Sequence, residues 1–402
     1  MVESIVIKFG GSVLQDEVTM KKAADMVSRV INNGLRPVIV VSALKGATDN
    51  LLSLSRKINP DTPNDILDQV LSMGERTSAR LFTSAIISKG LKPTLVDPEF
   101  ENWPIVTDEN HLDANPIYDE TERQVQRKIR PMLEAGEVPV VCGFLGKTRL
   151  GIMTTLGRGG SDTTAILLGS CLNSKEIVLV KDVEMIFSSD PDVVKNPVPL
   201  KELNSEEAFL LSAGGAKFLH SKAMSYNRNG VRIRIASLQE TGEDGTIIDG
   251  GAVDLVVELL QDPITMITVI GDKPLDTEQI RFLMTGIKES GGSIISLTLD
   301  PKTTVLYISG GINIVDQVHN MVIENKIGKA LSFFENLRVI VVRGSALETV
   351  PGLIQRVTQP LARKNINIFG LLTIGSSIRI VVLKASAEPT VALLKTALLS
   401  AS

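Results

Sequence analysis

The chain opens on a strand signal that empties into paired glycines, Ser4-Ile5-Val6-Ile7-Lys8-Phe9-Gly10-Gly11-Ser12, and a second glycine turn follows at Gly157-Arg158-Gly159-Gly160-Ser161-Asp162. A buried strand ending in paired glycines brings backbone N–H groups close to an anion, and a lysine near its exit adds a point charge. Two such turns suggest a phosphate donor gripped from two sides. The first has neither the spacing of a Walker A loop nor that of a dinucleotide fingerprint, which points to a phosphotransferase of another lineage.

From residue 4 to about 237, short β-branched runs alternate with longer helical periods, the signature of an α/β layer fold with a mostly parallel sheet. Strands are expected at Ile5–Phe9, Pro37–Ser42, Pro93–Val96, Val138–Phe144, Glu176–Lys181 and Val231–Ala236. Met20, Ala23, Ala24, Val27, Val30 and Ile31 recur at helical spacing, and Gly34 and Pro37 mark the stop. A helix expected over Asn64–Ser88 carries Gly74 in its interior, where glycine costs about 1 kcal/mol against alanine, so a site is one reason to keep it there.

The 402 residues exceed what one core usually holds, and the Thr-, Gly-, Glu- and Asp-rich stretch Glu240–Gly251 reads as a connector. Expected divisions are 1–245, 246–330 and 331–402. The last two share a layout: a β-rich run (Thr265–Ile270; Val339–Val342), an amphipathic helix, a strand pair (Ser293–Leu299 with Val305–Ile308; Ile366–Leu372 with Ile378–Leu383) and a further helical stretch. Such a βαββα repeat outside a catalytic region is more often a small-ligand or pairing module than a second active site.

Composition excludes several classes. A formal charge of -4 with scattered Lys and Arg offers no basic field for nucleic acid. Cys142 and Cys171 both lie in apolar segments, which fits a reducing compartment and small core residues. His111, His220 and His319 share no metal-ligand spacing, so no tightly bound metal is expected. With no secretory signal and no apolar run near the ~20 residues of a membrane span, a soluble cytoplasmic protein is expected.

Five blocks in order carry a specific resemblance: Lys8–Ser12, Val40–Asp49, Ser72–Arg76, Thr154–Asp162 and Gly215–His220. Together they resemble the aspartate kinases of the amino-acid kinase family, with two C-terminal ACT domains, and the likeness covers nearly the whole chain. The resemblance implies a three-layer αβα sandwich followed by two ferredoxin-like βαββα domains. It also implies transfer of the ATP γ-phosphoryl group to the side-chain carboxylate of L-aspartate, with Mg2+ carried by the nucleotide, as the first step toward lysine, threonine and methionine. A family member with another substrate, or an amino-acid sensor that no longer turns over, are the rival readings.

Residue by residue, the resemblance makes Lys8 the cation for the transferred phosphoryl group and Asp162 the acid that orients it. On position alone Lys8 could be a solvated strand-end lysine and Asp162 a helix cap. Gly10, Gly11 and Ser12 offer donors to phosphate. Arg158 suits an aspartate carboxylate, Ser42, Thr48 and Ser161 supply hydroxyls, and Glu75 takes the ammonium; Ser42 and Thr48 also read as ordinary turn residues. Lys181, Asp182, Phe187 and Lys217 fall on the nucleotide side. There the chain departs from the family pattern, with Lys181 in place of Thr, Phe187 in place of Tyr and Asp192 in place of Arg. Lys181 or Lys195 is expected to replace the missing cation. In the second repeat, Pro351-Gly352 and Asn365-Ile366-Asn367 resemble an effector face for lysine or threonine, which the first repeat lacks at the matching turn. The ACT pair implies a homodimer or larger homo-oligomer.

Overall fold

The computed structural model describes residues 2–216, 218–238, 245–250, 256–310, 313–344, 352–374 and 377–399. They fall into two compact units, 1–253 and 254–402. Half of the expected connector, 240–244 and 251, lies outside the described residues, as do Lys217 and Pro351.

The first unit runs β1 (Ser4–Phe9), α1 (Glu17–Asn32), β2 (Arg36–Val41), α2 (Ala47–Ile58), α3 (Asn64–Ile87), β3 (Pro93–Val96), β4 (Val106–Thr107), α4 (Tyr118–Glu134), β5 (Val138–Cys142), β6 (Leu145–Thr148), β7 (Met153–Thr155), α5 (Gly160–Leu172), β8 (Glu176–Lys181), β9 (Ile186–Phe187), β10 (Pro199–Leu200), β11 (Glu202–Leu203), α6 (Ser205–Ala213), α7 (Ser221–Met224), β12 (Ile233–Ser237) and β13 (Thr246–Ile248). The main sheet has the order β11-β13-β12-β8-β1-β2-β5-β3. It is parallel from β12 to β3 and turns antiparallel only between β12 and β13.

Every residue of β1 is buried, as a strand covered on both faces requires. Successive side chains point to opposite faces. Phe9 stacks on Phe82 of α3, with ring centroids 5.2 Å apart, while Lys8 turns to α5 and meets Asp162. Helix α5 is buried at all 13 positions. Small residues allow that depth: a Cβ on Gly169 would lie 2.3 Å from Ile177 of β8.

The expected strand Val138–Phe144 is shorter than its hydrophobic run. It breaks at Gly143-Phe144, where Phe144 has φ of +68°, and the chain enters a separate sheet of order β4-β6-β7.

The second unit runs β14 (Val256–Leu259), β15 (Ile264–Ile270), α8 (Thr277–Glu289), β16 (Gly292–Leu299), β17 (Thr303–Gly310), α9 (Ile314–Glu324), β18 (Ala330–Arg343), α10 (Leu353–Arg363), β19 (Gly370–Ile374), β20 (Ser377–Leu383) and α11 (Lys384–Leu399). Its antiparallel sheet has the order β16-β17-β15-β18-β20-β19, with β14 also on β18. Strand β18 serves both repeats. Its first half pairs β15, and its second half pairs β20 and β14. The exchange occurs beside Asn336, at φ of +55°, where the β15 register shifts. Val257 of β14 shares a core with Ile340, Val357 and Ile380 of the second repeat. In hydrogen bonding, then, the repeats do not divide at one chain position. The second strand pair also begins later than expected, at Gly370 rather than Ile366, because the α10 C-terminus takes the Asn365 and Ile366 N–H groups. Among the described residues, no helix is long and apolar enough to cross a membrane.

Candidate active site

Lys8 and Lys181 leave the C-terminal ends of adjacent parallel strands and converge on one carboxylate in the first turn of α5. Lys8 Nζ lies 2.8 Å from Asp162 Oδ1, and Lys181 Nζ lies 2.9 Å from Oδ2. Burial opposes ionisation of Asp162, but the two ammonium groups outweigh it and hold its carboxyl well below the usual range. Burial pushes the Lys8 ammonium down, Lys181 pushes the same way, and Asp162 resists. Two cations on one anion leave a positive excess. The Gly10-Gly11 turn adjoins it: Gly10 N–H donates to Val180 O at 3.2 Å, and a Cβ on Gly10 would stand 3.5 Å from Lys8 Nζ and 3.7 Å from Ser12 Oγ.

A second buried carboxylate faces this group. Gly74 explains itself by close approach, since a Cβ there would stand 2.9 Å from Ala43 Cβ and 3.8 Å from Thr48 Oγ1. That approach brings Glu75 to the loop after β2, where its Oε1 accepts from Ala43 N–H at 3.2 Å. Oε2 is buried without a hydrogen-bond partner among the described residues. Burial drives the Glu75 pKa up to about 7, against the pull of the Ala43 N–H and of Lys8. The same loop is fixed to the first glycine turn. Ser42 N–H donates to Phe9 O, and a Cβ on Gly11 would stand 2.4 Å from Ala43 O.

Arg158 is exposed on the turn entering α5, between Gly157 (φ +74°) and Gly159 (φ +70°), four residues before Asp162. Ser161 is buried against Gly143, where a Cβ would stand 2.8 Å from Ser161 Cβ. Lys8, Gly10, Gly11, Ser12, Ser42, Thr48, Glu75, Ser161, Asp162 and Lys181 are thus linked through direct contacts or shared loops. Asp182 is exposed just beyond β8, and Phe187 is half-buried in β9. Asp192 and Lys195 are exposed in the segment that follows. Of the two lysines expected to supply a cation, Lys181 is the one held on Asp162. In the second unit, Gly352 and Asn365 flank the 11 residues of α10, about 16 Å of helix axis at 1.5 Å per residue, so Gly352 and the Asn365–Asn367 run stand at opposite ends of that helix.

The amino acid kinase family model matches residues 3–237. The chain belongs to this family. Among relatives of this amino acid kinase, the aspartokinases of Geobacillus stearothermophilus and Bacillus sp. (strain MGA3) are each 30% identical to it. The first aligns over 376 residues and the second over 378, covering 90% of this chain and 89% of each relative. This alignment places the chain on the aspartokinase branch. Aspartate kinase from Synechocystis matches with a TM-score of 0.79 at 21% identity, over 98% of this chain and 69% of that one. E. coli aspartokinase III, solved in complex with aspartate and ADP, matches with a TM-score of 0.57 at 21% identity, over 99% and 100%. Both share the fold.

Sequence reasoning missed several residues around the site of this amino acid kinase. Gly143 fits Ser161, and Ala43 holds Glu75 through its backbone. Asp68 is wholly buried in α3; it accepts from the Thr155 hydroxyl at 2.6 Å and from Leu112 N–H at 3.1 Å, and it bonds His111 Nδ1 at 2.6 Å. Lys222 is a buried cation paired with Asp113. Asp68 shares the buried face of α3 with Ser72, Glu75 and Ser78, so no break in an apolar stripe marked it out. Among the described residues, no group of three or more His, Cys, Asp or Glu could hold a metal ion.

Proposed function

We propose that this chain transfers the γ-phosphoryl group of ATP to the side-chain carboxylate of L-aspartate, giving 4-phospho-L-aspartate and ADP. The observation that carries the reading is the pairing of a cation-rich Lys8–Asp162–Lys181 group with a buried, unpartnered carboxylate oxygen on Glu75. The first suits a polyanionic donor, and the second suits the ammonium of an amino-acid acceptor. The relatives' names and the aspartate and ADP bound to E. coli aspartokinase III support the same pair of substrates.

The acceptor carboxylate, with a pKa near ~4, is ionised at neutral pH and needs no general base. Its oxygen attacks the γ-phosphorus, the bond to the β–γ bridging oxygen breaks, and ADP carries that electron pair away. The protein's task is positioning and charge neutralisation. Lys8 takes the charge of the transferred phosphoryl group, and Asp162 pairs with Lys8 and Lys181 and aims both. Gly11 and Ser12 donate to the phosphates, while Gly10, whose N–H is held by Val180 O, lets the turn come close to them. Lys181, Asp182, Phe187 and Lys217 serve the nucleotide. Arg158 grips an aspartate carboxylate with hydroxyls from Ser42, Thr48 and Ser161, and Glu75 holds the ammonium. The charge balance fits Mg2+ arriving on the nucleotide, where it neutralises phosphate oxygens.

The second unit serves regulation and assembly in this reading. Lysine or threonine is the effector, bound with Pro351, Gly352, Asn365, Ile366 and Asn367, and the repeats pair copies of the chain into a homodimer or larger assembly. Lysine bound to E. coli aspartokinase III supports that class of effector. The reaction is the entry to lysine, threonine and methionine synthesis in the cytoplasm. An assay with ATP and L-aspartate, trapping the acyl phosphate with hydroxylamine, is expected to give the hydroxamate. ATP-dependent product with another carboxylate, phosphate or carbamate acceptor and none with aspartate would overturn the substrate, and no turnover at all would overturn the enzyme.

A further inference from the structure

The turn that presents Arg158 rests on a buried ammonium. The Lys222 side chain is only 5% exposed, and its Nζ donates to three acceptors: Asp113 Oδ1 at 2.7 Å, Ala114 O at 3.2 Å and Leu156 O at 3.3 Å. Three donors meeting three acceptors is the full capacity of an ammonium. Burying that charge is costly unless it is paired and hydrogen-bonded, so the arrangement demands an account.

All three acceptors lie at the base of the turn. Leu156 immediately precedes Gly157, and Asp113 Oδ1 stands 2.4 Å from where a Cβ on Gly157 would be. On the other side, a Cβ on Gly159 would stand 2.4 Å from His220 Cβ. His220 caps α7, the helix of Lys222, by accepting Lys222 N–H on Nδ1 at 3.3 Å. The turn is thus wedged between Asp113 and His220, and Lys222 ties both walls together. The 112–114 segment is anchored in its turn: Leu112 N–H reaches Asp68, Thr155 also bonds Asp68, and Ala114 N–H donates to Thr155 O at 2.9 Å. Arg158 itself makes no ion pair among the described residues, so what the protein fixes is the backbone from which its guanidinium reaches.

We infer that Lys222, with Asp113, is a positioning residue for the acceptor: it fixes the height and direction of the Arg158 turn and thereby the affinity for the acceptor carboxylate. The inference rests on the reading of Arg158 as the partner of that carboxylate. Its test compares Lys222→Met, Lys222→Arg and Asp113→Asn with Arg158→Ala, measuring kcat, both Michaelis constants and melting temperature, with kinetics run well below each melting point. Lys222→Met raises the aspartate KM on the order of tenfold and leaves the ATP KM within about twofold, since small misplacements of a binding group are felt at the group they displace. Lys222→Arg recovers most of that loss, and Asp113→Asn moves the aspartate KM in the same direction by less. If Lys222→Met does not fold, Asp113→Asn, at an exposed side chain, decides. The inference is overturned if Arg158→Ala raises the aspartate KM while Lys222→Met and Asp113→Asn leave it unchanged, or if they depress kcat and worsen both Michaelis constants alike. If Arg158→Ala leaves the aspartate KM unchanged, the reading of Arg158 falls, and this inference with it.

Discussion

Asp162 and Glu75 are both buried carboxylates near the exits of neighbouring strands, yet their surroundings treat charge in opposite ways. Each oxygen of Asp162 has its own lysine. Glu75 has one backbone N–H for Oε1 and, among the described residues, nothing for Oε2, and burial raises its pKa to about 7. The contrast separates two roles that sequence alone does not distinguish. In the proposed reading, a carboxylate ion-paired at both oxygens by internal cations organises the machinery, whereas one with no cation within ion-pair distance is poised for a cation that arrives with a ligand. Stability alone would favour filling the second site with an apolar residue, since an unpaired buried polar atom is destabilising.

Four substitutions and one control break or sharpen that contrast. Removing the charge nearest the first glycine turn has the largest effect: Lys8→Met lowers kcat on the order of 10³-fold, as for loss of a preorganised transition-state donor, measured by steady-state kinetics at saturating substrates. Asp162→Asn follows, with kcat down roughly 10²-fold, because both ammonium groups lose their anchor, and a lower melting temperature by calorimetry, because the buried Lys8 and the part-buried Lys181 lose their counter-charge. Glu75→Gln behaves differently. It raises the aspartate KM roughly 10- to 50-fold, in keeping with the loss of a charged hydrogen bond, while kcat stays within a few-fold. Lys181→Met has the smallest effect, about tenfold on the ATP KM, and Lys195→Ala leaves that constant unchanged. An equal rise from the two lysine variants would show that the Asp162 pairing does not select between them.

Much of this site was legible because glycine marks close approach. Gly74 inside a helix, Gly10-Gly11 after a strand and the Gly157–Gly160 turn each flagged a place where backbone nears another group, and the structure shows those groups to be Ala43, Lys8 and Asp113. The alternating strands and helices of residues 4–237 were legible for the same local reason. The support beneath the site was not. Lys222 and Asp113 are 109 residues apart, and Asp68 and Thr155 are 87 apart, so no local pattern joins them. Strand β18 was seen only over its apolar end, because Phe333, Phe334 and Glu335 are exposed and Asn336 adopts a left-handed conformation that interrupts alternation. Strand β14 was missed because its partner is the far half of β18, more than 80 residues away.

The most direct test of the contrast is the pH dependence of L-aspartate binding, measured by titration calorimetry from pH 6 to pH 8 on the wild-type chain and on Glu75→Gln. Below a pKa of about 7 the carboxyl is protonated and lends no charge to the ligand ammonium, so binding tightens as pH rises, by roughly tenfold across the window for a single group. The account predicts that slope in the wild type and a flat, weaker profile in Glu75→Gln. A flat wild-type profile, or the same slope in both proteins, would contradict it.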